Sequence, residues 1–213
     1  MLAAMAIIFA GCQSKEEKAA ELIKEELSKT LYDFESYQPI ETTVKEAKFS
    51  VFNDTLFWLK GHLLAYTMKK ANEYIEKAKE AESRMEIWGP PTAYTSSYSD
   101  KQYYKYEEER EEAQTSFLSS IVICKSLADI VKDSILQCDT SMVIGWEVFH
   151  RFRCKTKGGH STIADYRYVI DKDFKKIILR EDKDDDDDKE TRNALELVMS
   201  GEWDDIDISG ILE

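Results

Sequence analysis

The chain has 213 residues, 43% hydrophobic and 11% aromatic, with a formal net charge of −13. It is too apolar to be disordered throughout and long enough for one ordinary core. Its acidity excludes a general nucleic-acid binder, and four cysteines are too few for a disulfide scaffold.

Met1–Gly11 is apolar and uncharged, and Cys12 follows directly. Eleven residues reach roughly 16 Å as a helix, far short of the bilayer core. The length fits a secretory h-region ending on small residues. Small residues followed by cysteine resemble the bacterial lipobox, so residues 1–11 are read as a lipoprotein signal peptide and Cys12 as the lipidation site. Lys15-Glu16-Glu17 resembles the surface-export signal of Bacteroidetes lipoproteins.

Residues 15–31 are rich in Ala, Leu, Glu and Lys at helical spacing, which predicts a first helix. Ser36-Tyr37-Gln38-Pro39 breaks it. Ile40–Ala47 reads as a short strand. From Asp54 to Trp88, Leu64, Met68, Ala71, Ile75, Ala78 and Met85 follow the spacing of a coiled-coil seam. Gly89-Pro90-Pro91 ends that helix, and Thr92–Ser99 is a loop. A second long helix is expected from Asp100 to Gln137, giving an antiparallel hairpin over 54–137. Its aromatic residues Trp58, Tyr66, Tyr74, Tyr103, Tyr104 and Tyr106 are expected in the core and seam.

Beyond Cys138 the period changes from that of a helix to that of a strand. Ile144, Trp146, Val148, His150, Phe152 and Cys154 point one way; Glu147, Arg151, Arg153 and Lys155 point the other. Gly158-Gly159 turns the chain into a strand over 162–170, and Asp171-Lys172-Asp173 turns it again into 175–179. Residues 181–213 hold fourteen acids and three bases, a net of −11. The run Asp184–Asp188 is expected to be solvated, with Ala194, Leu195, Val198 and Met199 forming a short helix behind it.

Several segments, namely 32–40 (YDFESYQPI), Ile144-Gly145-Trp146, 150–155 (HRFRCK) with Gly158-Gly159, and 168–172 (YVIDK), together resemble an uncharacterised lipoprotein family of gut Bacteroidetes. The resemblance implies an envelope address and an α+β order. It brings no established activity and no catalytic residue.

No hydrolase elbow, zinc-protease, P-loop or dinucleotide motif is present. His62, His150 and His160 fall on a helix, a strand and a turn. His150 and Cys154, four apart on a strand, stand about 13 Å from each other, too far for a nucleophile and its base. No cysteine or histidine pair has zinc spacing, and Asp184–Asp188 lacks the geometry of a calcium loop. No cofactor, metal or catalytic residue is expected. Cys124, Cys138 and Cys154 are read as buried thiols. Residues 138–180 carry nine bases against five acids. Strand alternation gathers Arg151, Arg153 and Arg167 on one face, where they form a candidate anion-binding set or meet the acidic tail.

The expectation is an α+β fold: an N-terminal helix, a small antiparallel sheet of about four strands, and a long helical hairpin inserted between strands one and two. Residues 12–180 form one domain, followed by the acidic tail 181–213. The expected function is a lipid-anchored protein of the bacterial outer membrane, surface-exposed. It acts by binding an anionic glycan or protein rather than by catalysis, with no nucleic-acid partner. The alternatives are an inhibitor or immunity-type protein using Thr92–Ser99, and a hydrolase linked to glycan metabolism.

Overall fold

The computed structural model describes residues 13–202; the expected signal peptide and lipidated Cys12 lie outside the described residues. The described residues form a mixed helix and sheet fold with four α-helices and one antiparallel four-stranded sheet. It divides into two compact units, residues 1–49 with 141–184 and residues 50–140 with 185–213.

The first unit holds helix α1 (Lys15–Thr30) and strands β1 (Gln38–Lys48), β2 (Val143–Lys155), β3 (Ser161–Asp171) and β4 (Ile177–Asp182), paired in that order. A capping box starts α1: the Glu17 amide donates to Ser14 Oγ, and the Ser14 amide donates to the Glu17 carboxylate. Ala19, Ile23 and Leu27 repeat every four residues and are fully buried against Val148, Phe152, Tyr168 and Ile170 of the sheet. A 3₁₀ turn, Phe34–Ser36, connects α1 to β1.

β1 is longer than the eight residues its composition predicts, because thirteen-residue β2 gives it a full ladder from Gln38 opposite Arg153 to Lys48 opposite Val143. Its Pro39 is tolerated because β1 is an edge strand. β4 likewise runs on through Glu181 and Asp182, which pair with Arg167 and Tyr166 and so belong to the sheet rather than the tail. Gly145 lies where a Cβ would stand 1.9 Å from the Ile170 carbonyl oxygen, so the close β2–β3 approach requires glycine there. The β3–β4 turn holds Phe174 at φ 58°, its ring stacked on Trp146. Asp171 closes the same turn by accepting the amides of Lys175 and Lys176.

The second unit is built from α2 (Thr55–Trp88), α3 (Ser97–Leu136) and α4 (Asp186–Ser200). Asp54 caps α2 and Ser96 caps α3, which is why α3 begins three residues before the expected Asp100. Trp88 lies against Tyr98, Arg84 over Tyr106, and Lys60 bonds Ser134, so α2 and α3 run antiparallel. Leu64, Ala71, Ala78, Ala81 and Met85 are buried on α2, and Ala113, Phe117, Ser120, Cys124, Ala128 and Val131 on α3. Tyr66 and Tyr104, expected in the core or seam, are instead exposed.

α4 starts inside the acidic run. Asp185 accepts the amides of Asp187 and Asp188, and Asp186–Asp188 form the first turn, where carboxylates oppose the positive end of the helix. Ala194, Leu195 and Val198 are buried as the apolar spacing predicts, while Met199 is exposed. The helix packs on α2, with Leu195 over Gly61, Thr191 bonded to His62 and Arg192 over Trp58.

Candidate functional site

The face of the sheet opposite α1 carries Glu147, Phe149, Arg151 and Arg153 from β2 and Asp165, Arg167 and Val169 from β3. The three arginines do share this face, but their surroundings differ. Arg167 is 4% exposed and sits between two carboxylates, its Nη1 2.9 Å from Glu181 and its Nε bonded to Glu147. Lys45 reaches the second oxygen of Glu147 at 2.6 Å. Burial pushes the Glu147 carboxyl up, and the hydrogen bonds from Lys45 and Arg167 outweigh it and hold the group below its ordinary range. Opposite charges therefore alternate along Lys45, Glu147, Arg167 and Glu181, and Glu181, the first residue of the acidic segment 181–213, pairs with Arg167.

Arg151 is paired across the strands with Asp165 through two parallel bonds of 2.7 and 2.9 Å. The Arg151 hydrogen bond holds the Asp165 carboxyl below its usual range. Arg153 stands opposite Ile163, exposed, with exposed Lys155 and Lys157 following it into the β2–β3 turn. Arg153, Lys155 and Lys157 thus form an exposed basic group at that turn.

On the α1 side, His150 is 1% exposed and has both ring nitrogens engaged: Nε2 lies 2.9 Å from the Tyr37 hydroxyl, and Nδ1 2.9 Å from Thr42 Oγ1. Its ring stacks on Phe152. Burial pushes its pKa down to about 4, so the imidazole is neutral at pH 7. The sequence placed His150 inward but did not find its partners. Tyr37 was visible only as part of a helix break and Thr42 only as a strand former. Tyr168 in the same core has a hydroxyl with no hydrogen-bond partner among the described residues.

Cys124 and Cys154 are buried thiols and Cys138 is half-buried; all three are free. Burial raises the Cys124 thiol to about 11, which leaves it unreactive at neutral pH. Among the described residues no three His, Cys, Asp or Glu side chains gather as a metal site requires.

A groove of about 1190 Å³ runs between α2 and α4. Ala65, Met68, Ala194 and Leu197 supply its apolar lining, while Lys69 and Glu190 form an ion pair at its rim. At the hairpin tip, Thr95 Oγ1 lies 2.8 Å from the Thr92 carbonyl oxygen and 2.5 Å from Asp100 Oδ1, its single proton shared between the two acceptors. This brace presents Tyr94 98% exposed. No family model, curated protein or solved structure matches the chain.

Proposed function

We propose that the protein is anchored to the bacterial outer membrane through acylated Cys12 and acts by binding an anionic partner, a glycan or an acidic protein surface. The observation that carries the reading is the apolar run Met1–Gly11 ending on Cys12. The Ser14 cap of α1 comes two residues later, so roughly 7 Å of chain separates the anchor from the first helix. Arg153, Lys155 and Lys157 are the contact residues at the β2–β3 end of the sheet. Arg151 and Arg167 are already paired within it and serve to hold the strands in register.

The test is retention on an anionic matrix against increasing salt. Replacing Arg153, Lys155 and Lys157 by glutamine lowers the eluting salt concentration while thermal stability stays within about 0.5 kcal/mol, as for surface changes in general. Unchanged elution removes the anion-binding part of the reading.

The braced turn at Tyr94 favours a second reading, an inhibitor or immunity-type protein that inserts this ring into another enzyme. In that case Tyr94→Ala abolishes partner capture from surface-labelled cells and the glutamine variant does not.

A further inference from the structure

Among the described residues, an apolar face on the helical hairpin is left without a partner. On α2, Leu56, Leu59, Leu63 and Tyr66 are spaced three, four and three residues apart and are 69%, 63%, 48% and 55% exposed. On α3, Ile123 and Ile130 stand one heptad apart at 50% and 45% exposure, with Leu127 between them and Ser134 continuing the row. The Lys60–Ser134 hydrogen bond lays the two rows side by side, since Lys60 sits between Leu56 and Leu63 on the helix surface. α4 packs on a different side of α2, through Trp58, Gly61 and His62. An apolar 18-residue stretch of α3 is only 28% buried.

We infer that this face is a homodimer interface, in which the hairpins of two copies pack as a four-helix bundle. Two parallel ridges with a groove between them fit the same surface turned about a two-fold axis along the hairpin, so that the α2 row of each copy meets the α3 row of the other. The heptad spacing of both rows is the spacing that knobs-into-holes packing between helices requires. The area agrees. At roughly 150 Å² per fully accessible side chain, the six residues leave on the order of 500 Å² exposed, close to the apolar share of a standard interface of about 800 Å² per partner. Uncharged Ser119, Ser126 and Leu127 fill the α3 row, and Lys60, the charged residue between the two rows, is bonded to Ser134. The inference does not depend on acylation of Cys12.

Photo-crosslinking in cells making the full chain tests it. Benzoylphenylalanine in place of Leu63 or Ile130 gives a covalent adduct of twice the chain mass. The same residue in place of Lys125, about 140° round α3 from Ile130, gives at least tenfold less. Leu59→Lys, at an exposed position that leaves the helix content unchanged by circular dichroism, lowers the Leu63 adduct at least tenfold. Adducts with lipid or with a different protein, equal yields from the Lys125 position, or no adduct at all would overturn the proposal.

Discussion

His150 ties β2 to β1 and to the segment after α1, and it does so only as a neutral ring. Its folded pKa of about 4 lies below the unfolded value of about 6.5, so above pH 6.5 both states are neutral and the group adds no pH dependence. As pH falls from 6.5 towards 4, the unfolded chain takes up a proton that the folded chain refuses. Stability then drops by about 1.4 kcal/mol per pH unit, roughly 3 kcal/mol in all. Urea unfolding at pH 7, 6 and 5 reads this slope, and a His150→Gln protein loses it over the same window. Arg167 makes the opposite kind of contribution, being charged and enclosed by carboxylates. Arg167→Met leaves Glu147 and Glu181 without its charge and lowers unfolding stability by about 3–5 kcal/mol. Exchanging both glutamates for glutamine in that background recovers most of the loss. Tyr168 completes the set: its hydroxyl is buried and unpartnered, so Tyr168→Phe is neutral or stabilising by up to about 1 kcal/mol in thermal unfolding. A clear loss of stability would mean that the hydroxyl has a partner.

At the scale of elements, the contact of α2 with α4 depends on one absent side chain. A Cβ on Gly61 would stand 2.6 Å from Leu195 Cγ. Gly61→Ala gains about 1 kcal/mol in helix propensity but costs about 1–3 kcal/mol in overpacking, so the net effect is destabilising. In a Leu195→Ala background the same change stabilises, and a double-mutant cycle measured by urea unfolding reads the reversal. The elements themselves were largely legible in the sequence. The change of period after Cys138 located the sheet, and Gly89-Pro90-Pro91 located the hairpin turn, because both signals are local. Cross-strand register is not local, which is why the arginines could be placed on one face while their pairing with Asp165, Glu147 and Glu181 could not be read. The acidic run is largely solvent-exposed as its charge density predicts, and what charge density alone did not show is that Asp185, standing before an apolar-periodic segment, also caps α4.

For the whole molecule, the net charge of −13 does not describe a uniform surface. Acids gather in the first turn of α4, bases at the β2–β3 end of the sheet, and apolar residues along one side of the hairpin. These are three chemically different surfaces, and the first two were legible in the charge distribution along the chain. The third escaped because heptad periodicity says that a helix has an apolar side without saying how many sides it has. Each of α2 and α3 has one row buried in the hairpin and a second left open. The proposed envelope address rests on the sequence of residues 1–12. Mass spectrometry of the N-terminal peptide from membrane fractions tests it most directly. The account predicts a mature chain that begins at Cys12 with a diacylglyceryl group on its sulfur, absent from a Cys12→Ala protein. A peptide in which the Gly11–Cys12 bond is intact and the Cys12 thiol is unmodified would contradict it.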